Sequence, residues 1–110
     1  MKKMNPVVHF ELPARDRERM AKFYSGAFGW QATMLGEDMG HYVTVATTET
    51  DEKGMIKVPG AINGGLYPVK EGDNYHPSLV IAVDDINESI KRVTEAGGKV
   101  LGEPAPIPGI

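Results

Sequence analysis

Residues 8–16, Val8-His9-Phe10-Glu11-Leu12-Pro13-Ala14-Arg15-Asp16, return in kind as Pro77-Ser78-Leu79-Val80-Ile81-Ala82-Val83-Asp84-Asp85, a spacing of 69 residues (85 − 16). In both stretches apolar residues alternate with others and an acidic residue closes the run, the pattern of a half-buried strand entering a helix through its cap. The same spacing puts Ala21 over Ile90, Tyr24 over Val93, Ala27 over Ala96 and Gly29 over Gly98. Alternation, cap, helical stripe and glycine stop agree in order and register, so the chain reads as a duplicated unit of strand, acidic cap, amphipathic helix, glycine and strand. The second copy breaks off about halfway.

Within the first copy, alternation from Pro6 to Ala14 sends Val8, Phe10 and Leu12 to one face and His9 and Glu11 to the other. Asp16 caps a helix whose Met20, Phe23, Tyr24 and Ala27 form the sheet-facing stripe and which Gly29 ends. Trp30 to Leu35 and His41 to Thr47 read as antiparallel strands joined by the Gly36–Gly40 turn. Thr48 to Pro59 reads as a polar loop. Ala61 to Val69 reads as a fourth strand whose Asn63-Gly64-Gly65 signals a bulge or the close approach of a backbone or ligand. After the connector Lys70–Pro77, the second copy offers a capping-box start at Asp85-Ile86-Asn87-Glu88, a buried stripe of Ile86, Ile90 and Val93, a stop at Gly97-Gly98 and a new strand over Lys99 to Gly102.

A chain of 110 residues with 41% apolar content holds one core, so a single domain over residues 1–110 is expected, with 1–70 the first module and 71–110 the first half of a second. A net charge of −3 with acidic and basic residues interspersed gives no basic stripe for nucleic acid. No apolar run approaches the roughly 20 residues of a membrane span, and Met1-Lys2-Lys3-Met4-Asn5-Pro6 lacks a signal peptide's apolar stretch, so no membrane partner and a cytoplasmic location are expected. With no cysteine, any metal must be held by His and carboxylate side chains.

Two consecutive β-α-β-β-β modules resemble the vicinal oxygen chelate (VOC) superfamily, which includes glyoxalase I, bleomycin-resistance proteins and extradiol dioxygenases. The likeness is carried by Val8-His9-Phe10-Glu11-Leu12-Pro13 with Asp16, Phe23-Tyr24 with Phe28-Gly29-Trp30, Ala61-Ile62-Asn63-Gly64-Gly65, Val83-Asp84-Asp85-Ile86, Gly97-Gly98-Lys99-Val100 and Pro106-Ile107-Pro108-Gly109. The resemblance implies an α+β fold of paired βαβββ modules, a curved mixed sheet with helices on its outer face, here with the second module incomplete. In the most similar bacterial group a further tail follows the Ile-Pro-Gly segment. A shortened version of a longer protein is therefore expected, ahead of a partner chain that covers the gap or a second half that folds differently.

Metal-dependent members carry His or Glu ligands on the first and last strands of each module, and three or four are needed to hold a divalent ion. By the resemblance, His9 matches the first ligand position and Ser78 replaces its counterpart. Ile62 to Pro68 supplies no carboxylate for the fourth strand, and the last position falls in the absent tail. His9 is thus the one metal candidate, for Zn, Fe, Mn or Ni, and the expectation is no cofactor. Glu11, on the His9 face, is the candidate general base, against a solvated carboxylate. His9, Trp30, Tyr42, Asn63 and Tyr67 are the candidate ligand-binding residues of a cup, although Trp30 reads equally well as core. His41 and His76 read as rim residues, and Arg15, Arg17 and Arg19 as a solvated face.

The function expected is a glyoxalase/bleomycin-resistance-like protein that binds a small organic molecule in a cup without the complete metal site. The alternatives are a metal-dependent lyase or extradiol-type dioxygenase completed by a tail or partner chain, and a subunit serving assembly alone. A homodimer is expected under each, because the half-finished second module leaves edges to cover.

Overall fold

The computed structural model describes residues 4–70, 72 and 75–106. The Pro106-Ile107-Pro108-Gly109 signature lies mostly outside these residues, as do Asp73 and Asn74 of the connector. One compact unit spans Val7–Ile81, and residues 4–6 with 82–106 form another.

In the first unit the alternating run becomes strand β1 (Val7–Ala14), followed by helix α1 (Arg17–Phe28), β2 (Gln31–Met34), β3 (Val43–Ala46), β4 (Asn63–Pro68) and β5 (Ser78–Ile81). The strands form one sheet in the order β2-β3-β4-β1-β5. β1 and β4 pair parallel, and the remaining pairs are antiparallel. This is the mixed α+β sheet expected, with one complete β-α-β-β-β module over Val7–Pro68. The Gly36–Gly40 turn holds a short 3-10 turn at Glu37–Met39.

α1 begins where Asp16 accepts a hydrogen bond from the Arg19 N–H and stops where Gly29 turns left-handed at φ 74°, a conformation that costs glycine nothing. Its buried residue is Ala21, which packs with Ala14, Val43, Val45 and Leu66. Phe10, Leu12, Met20, Trp30 and Ala32 surround that core. The stripe predicted through Phe23 is corrected, since Phe23 is 56% exposed, and the small Ala21 lets the helix approach the sheet instead.

The two strands that the 69-residue spacing aligns pair with each other. Phe10 lies opposite Leu79, its own counterpart at the 69-residue spacing, with Glu11 opposite Ser78 and His9 opposite Val80. The copies' first strands therefore meet antiparallel about a local twofold axis between Phe10 and Leu79. The register slips only between Val7 and His9, and this is the sheet's irregularity.

Of the bulge or close approach expected at Asn63-Gly64-Gly65, no bulge forms, because β1 and β4 stay in register from His9↔Asn63 to Ala14↔Pro68. The glycines instead accept rings from opposite sides. A Cβ on Gly64 would sit 2.6 Å from the Phe10 ring, and one on Gly65 would overlap the Tyr42 phenol.

In the other unit Pro6 accepts a hydrogen bond from the Ala82 N–H, and Asp85 caps α2 (Ile86–Glu95) by accepting from the Asn87 and Glu88 N–H groups. α2 closes in a Schellman motif, with Gly98 N–H donating to the Val93 carbonyl, Gly97 N–H donating to that of Thr94, and Gly97 at φ 96°. The left-handed stop thus falls one residue before the position equivalent to Gly29. The buried stripe predicted for α2 is corrected: it buries no residue, and Ile86 and Val93 are 51% and 44% exposed. Lys99 to Gly102 forms no strand, having no ladder partner among the described residues.

The two seating glycines set a stability test. Gly64→Ala forces a methyl into the Phe10 ring and costs about 1–3 kcal/mol, as overpacking a filled site does. Gly26→Ala, in α1 with open space at its Cβ position, gains about 0.5–1 kcal/mol. Urea unfolding midpoints should move in opposite directions, and a common direction would contradict this packing.

Candidate functional site

The sheet has two unlike faces. Phe10, Leu12, Gly64, Leu66, Val43 and Val45 face α1. Pleat alternation sends His9 and Glu11, with their register partners Asn63 and Gly65, to the other side. Through the remaining pairings Thr44, Thr33 and Gln31 join this second face from β3 and β2, and Ser78 and Val80 join it from β5. Gln31, Thr33, Thr44 and Ser78 are exposed, so this face meets solvent.

Tyr42 enters just before β3 and lies flat over the bare backbone of Gly65. Its hydroxyl is 2.7 Å from His9 Nε2, with the Glu11 carboxylate near enough to act on the phenol's pKa. A carboxylate beside the phenol can only accept, and we assign the phenol O–H toward Glu11 and its lone pair toward a protonated His9 Nε2. That assigns the imidazole tautomer from the network and leaves Nδ1 as the acceptor nitrogen. Burial first, then the hydrogen bond and charge of Glu11, raise the Tyr42 pKa above the usual tyrosine range. The phenol is a proton holder here rather than a nascent phenolate.

Three of the sequence-predicted residues, His9, Glu11 and Tyr42, are thus brought together. Asn63 shares their face, but its Oδ1 accepts from the Thr47 N–H at 2.8 Å while Thr47 Oγ1 donates to the Ile62 carbonyl at 2.6 Å. Its carbonyl clips β4 to the end of β3. Tyr67 also lies on this side, at the Pro13 position of the ladder. Its hydroxyl donates to the His76 carbonyl at 3.0 Å and its ring meets Tyr75 edge-on.

Trp30 is not with them. It stacks on Tyr24 at 4.6 Å and 9° and tilts against Phe10 at 5.6 Å, on the α1 side of the sheet. Its place in a ligand-facing aromatic cup is corrected to core packing, because it shares the face of Phe10 rather than that of His9.

The donor set does not fit a metal centre. The face presents one imidazole and one carboxylate, and His9 Nε2 is already hydrogen bonded to the Tyr42 hydroxyl. Among the described residues no three His, Asp or Glu side chains converge for a metal ion, where three or four are needed. No described helix is long and apolar enough to cross a membrane.

Hollows in the surface lie elsewhere. One of about 530 Å³ is lined by Gln31, Ala46, Thr47, Glu49 and Lys57, at the β2–β3 end of the same face. Another, of about 490 Å³, lies between Pro13 and Phe23 around the start of α1. Neither includes His9, Glu11 or Tyr42.

Sequence reasoning missed two supports. Arg17, read as part of a solvated face, donates from one guanidinium nitrogen to the Leu35 and His41 carbonyls, 3.0 Å each, and so ties the β2–β3 turn to the start of α1. No local pattern marks that role. Gly65 as the seat of Tyr42 was marked in the sequence, but without its occupant.

A family model described as Glyoxalase/Bleomycin resistance protein/Dioxygenase superfamily matches residues 7–109. A glyoxylase-like domain-containing protein of Didymella fabae is 36% identical over 98 residues, covering 84% of this chain and 69% of that protein. A probable chloroplastic lactoylglutathione lyase of Arabidopsis thaliana is 27% identical over 106 residues, or 96% of this chain and 30% of the relative. The anthracycline biosynthesis protein DnrV of Streptomyces peucetius is 31% identical over 109 residues, or 92% and 38%. The chain thus spans under a third of the plant relative and little more than a third of the Streptomyces one. With a match over nearly its whole length and the module described above, the chain belongs to the Glyoxalase/Bleomycin resistance protein/Dioxygenase superfamily.

Proposed function

We propose that this chain is a single VOC domain that binds a small organic molecule on the sheet face carrying His9, Tyr42 and Glu11, without the complete metal site of its family. The observation that carries the reading is the 2.7 Å hydrogen bond between His9 and Tyr42, with the Glu11 carboxylate beside the phenol, set on a face that α1 leaves open. Fixed polar groups on a solvent-facing surface orient a ligand at little entropic cost. In this reading Tyr42 holds the imidazole in one tautomer, while His9 Nδ1 and the Glu11 carboxylate present acceptors to the ligand. Glu11 is the group available as a general base. The proposal includes a cytoplasmic homodimer. Leu79 and Ile81, 65% and 54% exposed on edge strand β5, support a covering partner, and a monomer by light scattering would count against it.

Elemental analysis tests the reading. Untagged protein exposed to zinc, manganese, iron and nickel salts and purified without chelator should carry far less than one metal per chain, with or without His9→Ala. Near one metal per chain, lost with His9→Ala, would contradict it and favour a metal-dependent lyase or dioxygenase.

The raised Tyr42 pKa sets a pH dependence. The folded-state value lies above the unfolded one, so the neutral phenol's contribution is fully present below about pH 10 and is lost as pH rises further. The stability difference between the wild type and Tyr42→Phe, from urea unfolding at a series of pH values, should be flat near neutrality and shrink above that point. A difference that grows with alkaline pH would mean that the site favours the phenolate.

A further inference from the structure

We infer that this sheet face takes neutral or cationic hydrogen-bond donors and turns away anions, a selectivity that rests on the ligand-binding reading above. The strand positions on the face carry no lysine and no arginine. The one charged residue on those positions is Glu11, with Ser78 opposite it on β5 and Thr44, Thr33 and Gln31 farther along the same face on β3 and β2. A carboxylate or phosphate arriving beside Glu11 meets a like charge, and the strand positions around it offer no guanidinium or ammonium to pair with.

Arg17 and Lys57 lie off these strand positions. Arg17 is committed to the Leu35 and His41 carbonyls. Lys57 stands with Glu49 in the hollow beside Gln31 and Ala46, at the β2–β3 end. Lysines and arginines would be required to hold a ligand rich in carboxylates, and the glutathione portion of lactoylglutathione is such a ligand. The chemistry instead suits an ammonium, an alcohol or a phenol, whose N–H or O–H meets the Glu11 oxygens and His9 Nδ1. The aliphatic Val80, opposite His9, offers an apolar contact for the rest of such a molecule.

Three probes of one shape separate the outcomes: 2-phenylethylamine, 2-phenylethanol and phenylacetate, titrated at about pH 8, above the ordinary histidine range. Binding is read from amide chemical shifts mapped to His9, Glu11 and Thr44. The amine and the alcohol should move these resonances, and phenylacetate should bind at least about tenfold more weakly than the alcohol. Glu11→Gln should bring phenylacetate to within about twofold of the alcohol by removing the one fixed charge. Should that variant not fold, raising salt on the wild type must narrow the same gap, because screening weakens the repulsion. Phenylacetate binding as tightly as the alcohol would overturn the charge selectivity and leave the binding face standing. Shifts from none of the three at these residues would overturn the binding face itself, and the selectivity with it.

Discussion

Two adjacent glycines, pressed by aromatic rings from opposite sides, hold the arrangement together. Gly64 takes the Phe10 ring on the α1 side, and Gly65 takes the Tyr42 phenol on the other. No residue with a Cβ fits either place without displacing a ring, and glycine inside a strand costs roughly 0.5–1 kcal/mol in conformational entropy. On one side the cost is offset by aromatic packing that continues from Phe10 to Trp30 and on to Tyr24. On the other it allows a phenol to cross strand β4 and reach His9 and Glu11 on β1. Core and candidate site share one pair of residues.

Much of this was legible because it follows local rules. Asp16 and Asp85 cap the helices they were expected to cap, and Gly29 ends α1 in the left-handed conformation its position required. Alternation placed His9 and Glu11 together on the face away from α1. The unread parts depend on distance through space. Trp30 follows the α1 stop directly, and no sequence pattern tells which side of the sheet an aromatic at a strand entrance will take. Tyr42 was identified as a face residue, but its two partners lie more than thirty positions away (42 − 9 = 33). The Asn63-Gly64-Gly65 signal was right in kind, a close approach, and wrong in its source, since side-chain rings rather than a bulge occupy it. α2 shows the opposite limit. Its stripe has the right spacing, yet Ile86 and Val93 remain exposed, because periodicity states which residues want burial and not whether anything covers them.

The same geometry explains how a family associated with lyases and dioxygenases can include a chain whose described residues do not assemble a metal centre. The strand position that the family resemblance gives to a ligand holds His9, which is hydrogen bonded to Tyr42. Tyr42 takes Nε2, and the counterpart strand offers Ser78 across from Glu11. In the function proposed above, this hydrogen-bonding surface orients a molecule rather than polarising it through an ion.

The central claim is that His9 Nε2 donates to Tyr42 and is not a metal ligand. Nitrogen-15 NMR of histidine-labelled protein, with His9 assigned by comparison with His9→Gln, tests it most directly. The account predicts a protonated Nε2, an unprotonated Nδ1, and a coupling or shift change at Nε2 on replacing Tyr42 with Phe. An unprotonated Nε2 whose resonance is unmoved by Tyr42→Phe but shifts on adding zinc would contradict it.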